Sequence, residues 1–88
     1  MNYNKLERAV RGFSNHRRIE IMVLLNKRPE LSVMQIAETL KINMKTAAEH
    51  IRRLAITGLV LKRASGNAVL HKLTPRAKSV LKFLRTLE

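Results

Sequence analysis

The sequence has few of the residues that make disulfides, flexible loops and aromatic surfaces. It contains no cysteine or tryptophan, one tyrosine, two phenylalanines, three glycines and two prolines in 88 residues. Without cysteine the chain can form no disulfide and no thiolate metal site. The scarcity of aromatic residues argues against the stacking surfaces of proteins that bind single-stranded nucleic acid. No linker or repeat appears, and the length predicts a single domain over residues 1–88.

Acidic residues are also few. Six carboxylates face 18 lysines and arginines, which gives a net charge of +12 and a pI of about 11.5. So many uncompensated cations indicate a polyanionic partner, with nucleic acid the first candidate and a membrane surface the second. No segment approaches the ~18 apolar residues of a membrane span, and the first residues lack the apolar stretch of a signal peptide. We therefore expect a cytoplasmic, nucleoid-associated protein with no membrane partner.

Apolar residues at helical spacing predict two helices in the first third of the chain. The first is interrupted from Gly12 onward, and the second is expected over 16–27, between a capping Asn15 and Pro29. The apolar residues of the first helix are Tyr3, Leu6, Val10 and Phe13. The second helix is apolar around most of its circumference, which predicts a central, buried position.

A helix-turn-helix is predicted over residues 32–57. Ser32, with Gln35 three residues later, is a capping-box pattern that begins a third helix. Asn43 can cap a fourth helix, and Gly58 is its expected stop. Two short helices joined by a tight turn are the pattern that places a helix in a DNA groove.

The period of the apolar residues changes after the fourth helix. Residues 59–73, LVLKRASGNAVLHKL, contain two runs rich in Val and Leu around Ser65-Gly66-Asn67, which predicts a basic β-hairpin, or wing. Thr74 and Pro75 supply a cap and a first-turn proline for a last helix over 75–87. The predicted fold is mainly α with a small β-hairpin, a winged helix-turn-helix in the order α-α-α-α-β-β-α.

The fourth helix, residues 43–57, has one apolar and one charged side. If Ile51 lies at the centre of the buried side, a rotation of about 100° per residue gives the residues opposite it. They are Lys45, Glu49, Arg52, Arg53 and Ile56. Such a face fits the DNA major groove, with the arginines suited to phosphates, although Ile56 is not explained. The alternative is an ordinary solvated helix surface.

The terminal helices carry more apolar residues than one small core needs, which predicts a homodimer. The residues expected at its interface are Leu6, Val10, Phe13, Val80, Phe83, Leu84 and Leu87. Two-fold pairing would place two recognition helices about 34 Å apart, on a palindromic site. A thicker core within a monomer is the alternative.

Residues 14–74 resemble the winged helix-turn-helix domain of the ArsR family of transcriptional regulators and, more loosely, that of the MarR family. The family's opening pattern DPTRLRIL is matched by NHRRIEIM, residues 15–22. Its recognition pattern LSQPTVSHHLKVLREAGLV is matched by residues 42–60. The identical residues in that match are Thr46, His50, Leu54, Gly58, Leu59 and Val60. The ending LTPRAKSVL is similar to the closing helix of many winged regulators.

The resemblance implies DNA contacts from the start of the fourth helix and, near residues 63–67, from the wing. Together with the charged face and the basic hairpin, the predicted set is Asn43, Met44, Lys45, Thr46, Ala48, Glu49, Arg52, Arg53, Lys62, Arg63, Ser65, Asn67 and Lys72. The chain departs from the family at Ala48 and Glu49, where Ser and His are frequent, and at Asn67, where the wing often has Arg. Its operator therefore cannot be inferred from relatives.

The metal sites of related sensors have no counterpart in this sequence. The Cys-Val-Cys of those sensors falls on Ser32, Val33 and Met34, and no histidine or aspartate follows Thr74. The histidines, which we interpret as structural or surface residues, are His16, His50 and His71. No nucleophile–base pair, phosphate loop or dinucleotide fingerprint occurs. We expect no metal, no cofactor and no enzymatic activity.

The sequence predicts a regulator of transcription that binds double-stranded DNA specifically, with repression expected and activation left open. One alternative is a non-specific architectural protein of the nucleoid, and another is a winged-helix adaptor for a second protein. Glu49 separates the first two weakly. It can accept a hydrogen bond from a cytosine amino group, or it can pair with Arg52 or Arg53 and only order those side chains.

Overall fold

Five helices and one β-hairpin follow one another in the computed structural model, which describes residues 1–88. The elements are α1 (Tyr3–Phe13), α2 (His16–Lys27), α3 (Val33–Leu40), α4 (Met44–Ile56), β1 (Val60–Ser65), β2 (Ala68–Leu73) and α5 (Pro75–Arg85). The predicted winged helix-turn-helix order α-α-α-α-β-β-α is confirmed.

The core forms around α2. Its residues Ile21, Met22 and Leu25 are almost fully buried, which confirms the central position expected from the apolar pattern. The rest of the core comes from the later elements and the segments that join them: Leu31, Ile36, Ile51, Leu54, Leu59, Val60, Leu73, Ala77 and Leu81. α1 adds only the partly buried Phe13, so this helix lies at the edge of the folded chain.

The predicted capping residues begin their helices. The Asn15 side chain accepts hydrogen bonds from the amides of Arg17 and Arg18 in the first turn of α2. Ser32 and Gln35 form both bonds of the capping box, at 3.2 and 2.9 Å. The Thr74 hydroxyl caps α5 and also donates to the Gly58 carbonyl at 2.8 Å. That last bond fastens the start of α5 to the end of α4.

The prediction of an interruption at Gly12 was wrong. α1 continues through Gly12 to Phe13, and Gly12 is its one buried residue. A Cβ at this position would lie under 3.0 Å from three side-chain atoms of Thr57, at the end of α4. The glycine therefore permits the close approach of two helices and does not end a helix.

The wing is a two-stranded antiparallel hairpin that pairs Val60 with Leu73 at its base and Ser65 with Ala68 at its tip. Gly66, the first of the two loop residues, has φ 59°, as a type II′ turn requires. The amide of His71 donates to the Leu31 carbonyl at 2.8 Å. This bridge extends the hairpin to the segment before α3 and fixes the wing beside the helix-turn-helix.

Candidate nucleic-acid interface

The turn of the helix-turn-helix, residues 41–43, is tight. Lys41 takes a left-handed conformation with φ 56° and ψ 46°, and the Ile42 amide donates back to α3 at 3.0 Å. The Asn43 side chain then accepts hydrogen bonds from the amides of Lys45 and Thr46, at 2.8 and 3.3 Å. The turn and the cap together determine the direction in which α4 leaves α3.

α4 is held to the core along one side. Ala47, Ile51 and Leu54 are at most 1% exposed, as the helical spacing predicted. The exposed residues on the opposite side are Lys45, Glu49, Arg52, Arg53 and Ile56. Because the buried side is apolar and tightly packed, the helix can present only the charged side to a partner.

The first turn of α4 offers several groups to a groove. Met44, Lys45, Thr46 and Ala48 are all exposed. The side-chain oxygen of Asn43 is engaged in the cap, so only its amide nitrogen is left to donate. The methyl groups of Thr46 and Ala48 suit a thymine methyl, while Lys45 suits a base or phosphate acceptor.

Glu49 is bound within α4 itself. Its carboxylate accepts hydrogen bonds from Arg52 at 3.0 and 2.7 Å and from Arg53 at 3.2 Å. These bonds, the Arg52 bonds first, lower the pKa of Glu49 to about 2. A carboxylate that already accepts three hydrogen bonds from its own helix favours the ordering role for Glu49 over contact with a cytosine.

The wing supplies a second group of cations. Lys62, the tip residues Ser65 and Asn67, and Lys72 are exposed. The Arg63 guanidinium instead donates two hydrogen bonds to the Glu30 carboxylate, at 2.8 and 2.9 Å. The Arg63 hydrogen bond is the largest cause of a lowered pKa at Glu30. Arg63 is therefore placed to anchor the wing, while the other four residues form no ion pair.

Glu30 is a site residue that the sequence analysis missed. It lies in the loop before α3 with a left-handed φ of 65°, and its amide donates to the His71 carbonyl at 2.9 Å. No local pattern marks a residue that pairs with Arg63 across 33 positions of sequence. The two meet because β2 bonds to this loop and β1, which carries Arg63, pairs with β2.

A basic cluster at the start of α2 was also missed. Arg18 donates to the Arg11 carbonyl at 3.2 Å, while its Nε atom and Nδ1 of His50 are buried without partners. Burial first, and then the charge of Arg18, lowers the pKa of His50, which favours the neutral imidazole. The run His16-Arg17-Arg18 is the sequence signal for this cluster, although the helix start and the family's opening pattern account for the same residues.

The residues predicted for a dimer interface divide into two groups. Leu6, Val10, Phe83 and Leu87 are between 46% and 67% exposed. Phe13, Val80 and Leu84 are half-buried against the chain's own core. On α1, Tyr3 and Val10 lie on the side of the helix away from Gly12 and α4, whereas Leu6 borders a depression that Ile56 and Thr57 also line. The four exposed residues are therefore the ones that the core of the monomer does not cover.

The structure contains no group of three or more histidine and carboxylate side chains arranged to hold a metal ion. His71 is buried, and its Nδ1 lies 2.9 Å from the Leu31 carbonyl, so it has a structural role. None of the helices combines the length and apolar composition needed to cross a membrane.

The profile of the bacterial regulatory proteins of the ArsR family matches residues 15–62, which include α2, the helix-turn-helix and the start of the wing. The chain belongs to the ArsR family. Its members are regulatory proteins, and the matched residues contain the turn, the cap and the charged side of α4 described above. A comparison with curated proteins gave no match.

Solved structures share the fold of this ArsR-family chain over nearly its whole length. HlyU from Vibrio cholerae has a TM-score of 0.82 at 26% identity, covering 98% of this chain and 94% of its own. The regulator HlyU from Vibrio vulnificus has a TM-score of 0.78 at 28% identity, covering 98% and 90%. A winged helix-turn-helix domain from Mycobacterium bovis, described as homodimeric, has a TM-score of 0.87 at 23% identity, covering 97% and 79%.

Proposed function

We propose that the protein binds double-stranded DNA sequence-specifically as a homodimer and regulates transcription, as a repressor on the bacterial nucleoid. The observation that carries this proposal is the orientation of α4. Burial of Ala47, Ile51 and Leu54 turns the capped N-terminus and the basic side of the helix outward, on the same molecule as an exposed basic wing. A major groove admits such a helix, and the wing then lies over the backbone.

The proposed contacts divide by chemistry. Lys45, Thr46 and Ala48 in the first turn of α4, with Asn43 and Met44, meet base edges. Lys62, Lys72, the wing tip and the two arginines of α4 meet phosphates, which hold the helix in register without carrying sequence information. Since Glu49 is occupied by those arginines, sequence discrimination is assigned to the first turn of the helix.

The homodimer rests on the apolar residues that the monomer leaves exposed. Tyr3, Leu6 and Val10 on α1 and Phe83 and Leu87 on α5 are exposed and lie outside the core cluster. The related domain from Mycobacterium bovis is described as homodimeric, and a two-fold pair of this chain would present two α4 helices to a palindrome. The variant Phe83→Ser/Leu87→Ser should sediment as a monomer, whereas Met34→Ser, equally exposed on α3, should leave the dimer intact.

Selection of bound duplexes from a random pool tests the proposal. We expect a palindromic motif whose half-sites lie about one DNA turn apart. If two protomers neutralise about 6–10 phosphates, affinity for the selected duplex should fall by roughly 10³–10⁵ between 50 and 200 mM salt. Recovery of no duplex, or affinity that is independent of salt, would contradict the proposal.

A non-specific architectural function is the second candidate, and the Glu49 contacts favour it. A carboxylate that only orders two phosphate-binding arginines adds no sequence information. In that case the selected pool should show a bias in base composition or groove shape, and unrelated duplexes should bind as tightly as the enriched ones.

A further inference from the structure

We infer that a groove between α1 and the C-terminal half of α4 binds a segment of the DNA sugar–phosphate backbone, in addition to the contacts of the α4 N-terminus and the wing. This inference rests on the proposed function, because it extends the DNA surface onto α1. From the sequence, α1 is expected to act in dimerisation only. The groove gives the other side of the same helix a role in DNA binding.

The groove has a volume of about 410 Å³ and is lined by two arginines from each helix. Arg8 and Arg11 come from α1, and Arg52 and Arg53 come from α4. Ile56 and Thr57 lie between them, and no acidic residue lines the groove. Four guanidinium groups around one depression form a site for a phosphate, which guanidinium groups bind in bidentate fashion.

Gly12 sets the width of the groove. The absence of a Cβ lets α1 lie directly against Thr57, in a contact that alanine could not make without displacement. Arg8 and Arg11 lie within about one turn of this contact, so they project over the same part of α4 as Arg53. The groove is thus determined by helix packing as well as by the positions of flexible side chains.

The positive charge of the groove is only partly compensated. Glu7 pairs with Arg11 at 3.3 Å, and Glu49 is shared by Arg52 and Arg53. Arg8 makes no hydrogen bond or ion pair with any side chain. Two carboxylates therefore pair with three of the four arginines, and a phosphate can bind to Arg8 without displacing an acidic partner.

The groove fits a backbone better than a free phosphate. Ile56 is 68% exposed between the arginines, and a deoxyribose presents apolar C–H groups between two phosphates. Arg52 and Arg53 belong both to the groove and to the basic side of α4. A strand that leaves the first turn of α4 can therefore continue into the groove, and this placement also explains the exposed Ile56.

The test uses the full-length protein and a duplex selected by it, with an unrelated duplex alongside. Arg8→Gln/Arg11→Gln should weaken binding to both duplexes by the same factor and reduce the slope of log affinity against log salt by about 0.9 for each phosphate lost. Arg8→Lys/Arg11→Lys should retain most of the slope. Lys78→Gln/Lys82→Gln, which removes two exposed charges from α5, should leave the slope unchanged.

Replacement of single phosphates by neutral methylphosphonates locates the contact. At the phosphate that the groove binds, the neutral replacement should weaken duplex binding by the wild-type protein. The same replacement should not change duplex binding by Arg8→Gln/Arg11→Gln, which has already lost that contact. If Arg8→Gln/Arg11→Gln binds like the Lys78→Gln/Lys82→Gln control, the groove inference is wrong while the proposed function stands. If the wild type binds neither duplex at 50 mM salt, both are wrong. If the protein binds pyrophosphate and its affinity for the duplex is unchanged by that binding, the assignment of the groove to DNA is wrong.

Discussion

Arg63 in the wing and Glu30 in the loop before α3 form a two-point ion pair, with hydrogen bonds of 2.8 and 2.9 Å across 33 positions of sequence. Beside it, the amides of Glu30 and His71 donate to the carbonyls of His71 and Leu31. The side-chain pair and the backbone bridge act on the same stretch of the hairpin. Together they fix the distance between the wing and the helix-turn-helix.

The first prediction is that Arg63 and Glu30 act as one unit. Glu30→Gln and Arg63→Gln should each speed hydrogen exchange of wing amides, and the double variant should exchange no faster than either single variant. Lys62→Gln, on the same strand and without an acidic partner, should change little. The free energy of unfolding of the whole protein should change little in these variants, because an exposed ion pair contributes little to it.

The same variants show whether Arg63 also contacts DNA, as its place in the basic wing predicts. If Arg63 only anchors the wing and contacts no phosphate, Glu30→Gln and Arg63→Gln should have the same slope of log affinity for DNA against log salt. A direct contact lowers the slope by about 0.9 in Arg63→Gln alone.

The second prediction concerns Glu49. Because its carboxylate holds Arg52 and Arg53, Glu49→Gln should free both arginines and raise affinity for selected and unrelated duplexes by the same factor. Glu38→Gln removes the same charge from an exposed site on α3 and should have a smaller effect. A loss of affinity confined to one base pair per half-site would show instead that Glu49 contacts a base.

The third prediction is a loss of stability below about pH 6.5. Burial lowers the pKa of His71 from its ordinary 6.5, so the unfolded chain binds a proton in a range where the folded chain does not. The free energy of unfolding should therefore be highest above 6.5 and fall as the pH drops towards the folded pKa. His50 contributes in the same direction.

Urea unfolding midpoints between about pH 5 and 7.5 measure this dependence. His71→Gln should reduce this pH dependence more than His16→Gln, the control at an exposed histidine. The lowered pKa values of Glu30 and Glu49 act in a separate window, below their ordinary 4.5, where their stabilising charge is lost on acidification. An unchanged slope in His71→Gln would exclude that histidine as the source.

Local chemistry was enough to predict most of the fold. The caps at Asn15, Ser32, Asn43 and Thr74 act within three residues along the chain, so a sequence pattern contains all of their partners. The buried side of α4 follows from helical periodicity for the same reason. The outward direction of the charged side needed no knowledge of tertiary structure.

Contacts between distant segments could not be predicted from such patterns. The pairing of Glu30 with Arg63 and the approach of Arg8 to Arg53 depend on where the hairpin and α1 pack. Gly12 is the clearest case of a role that its sequence context does not predict. A glycine near the end of a helix usually ends it, whereas Gly12 lets α1 pack closely against another helix. Its actual use depends on Thr57, 45 positions later in the sequence.

The last prediction is that Gly12→Ala destabilises the protein. At an open helical position, alanine in place of glycine would stabilise by about 0.5–1 kcal/mol, because alanine is the better helix former. Here the new methyl group meets the side chain of Thr57, and overpacking of this kind costs about 1–3 kcal/mol. The sign of the change in the free energy of unfolding, measured by urea, therefore reports the contact.

Thr57→Gly should itself weaken the end of α4, but Gly12→Ala added to it should then be neutral or stabilising, because the clashing atoms are gone. A stabilising Gly12→Ala in the otherwise unchanged chain would mean that α1 does not lie against α4 in solution.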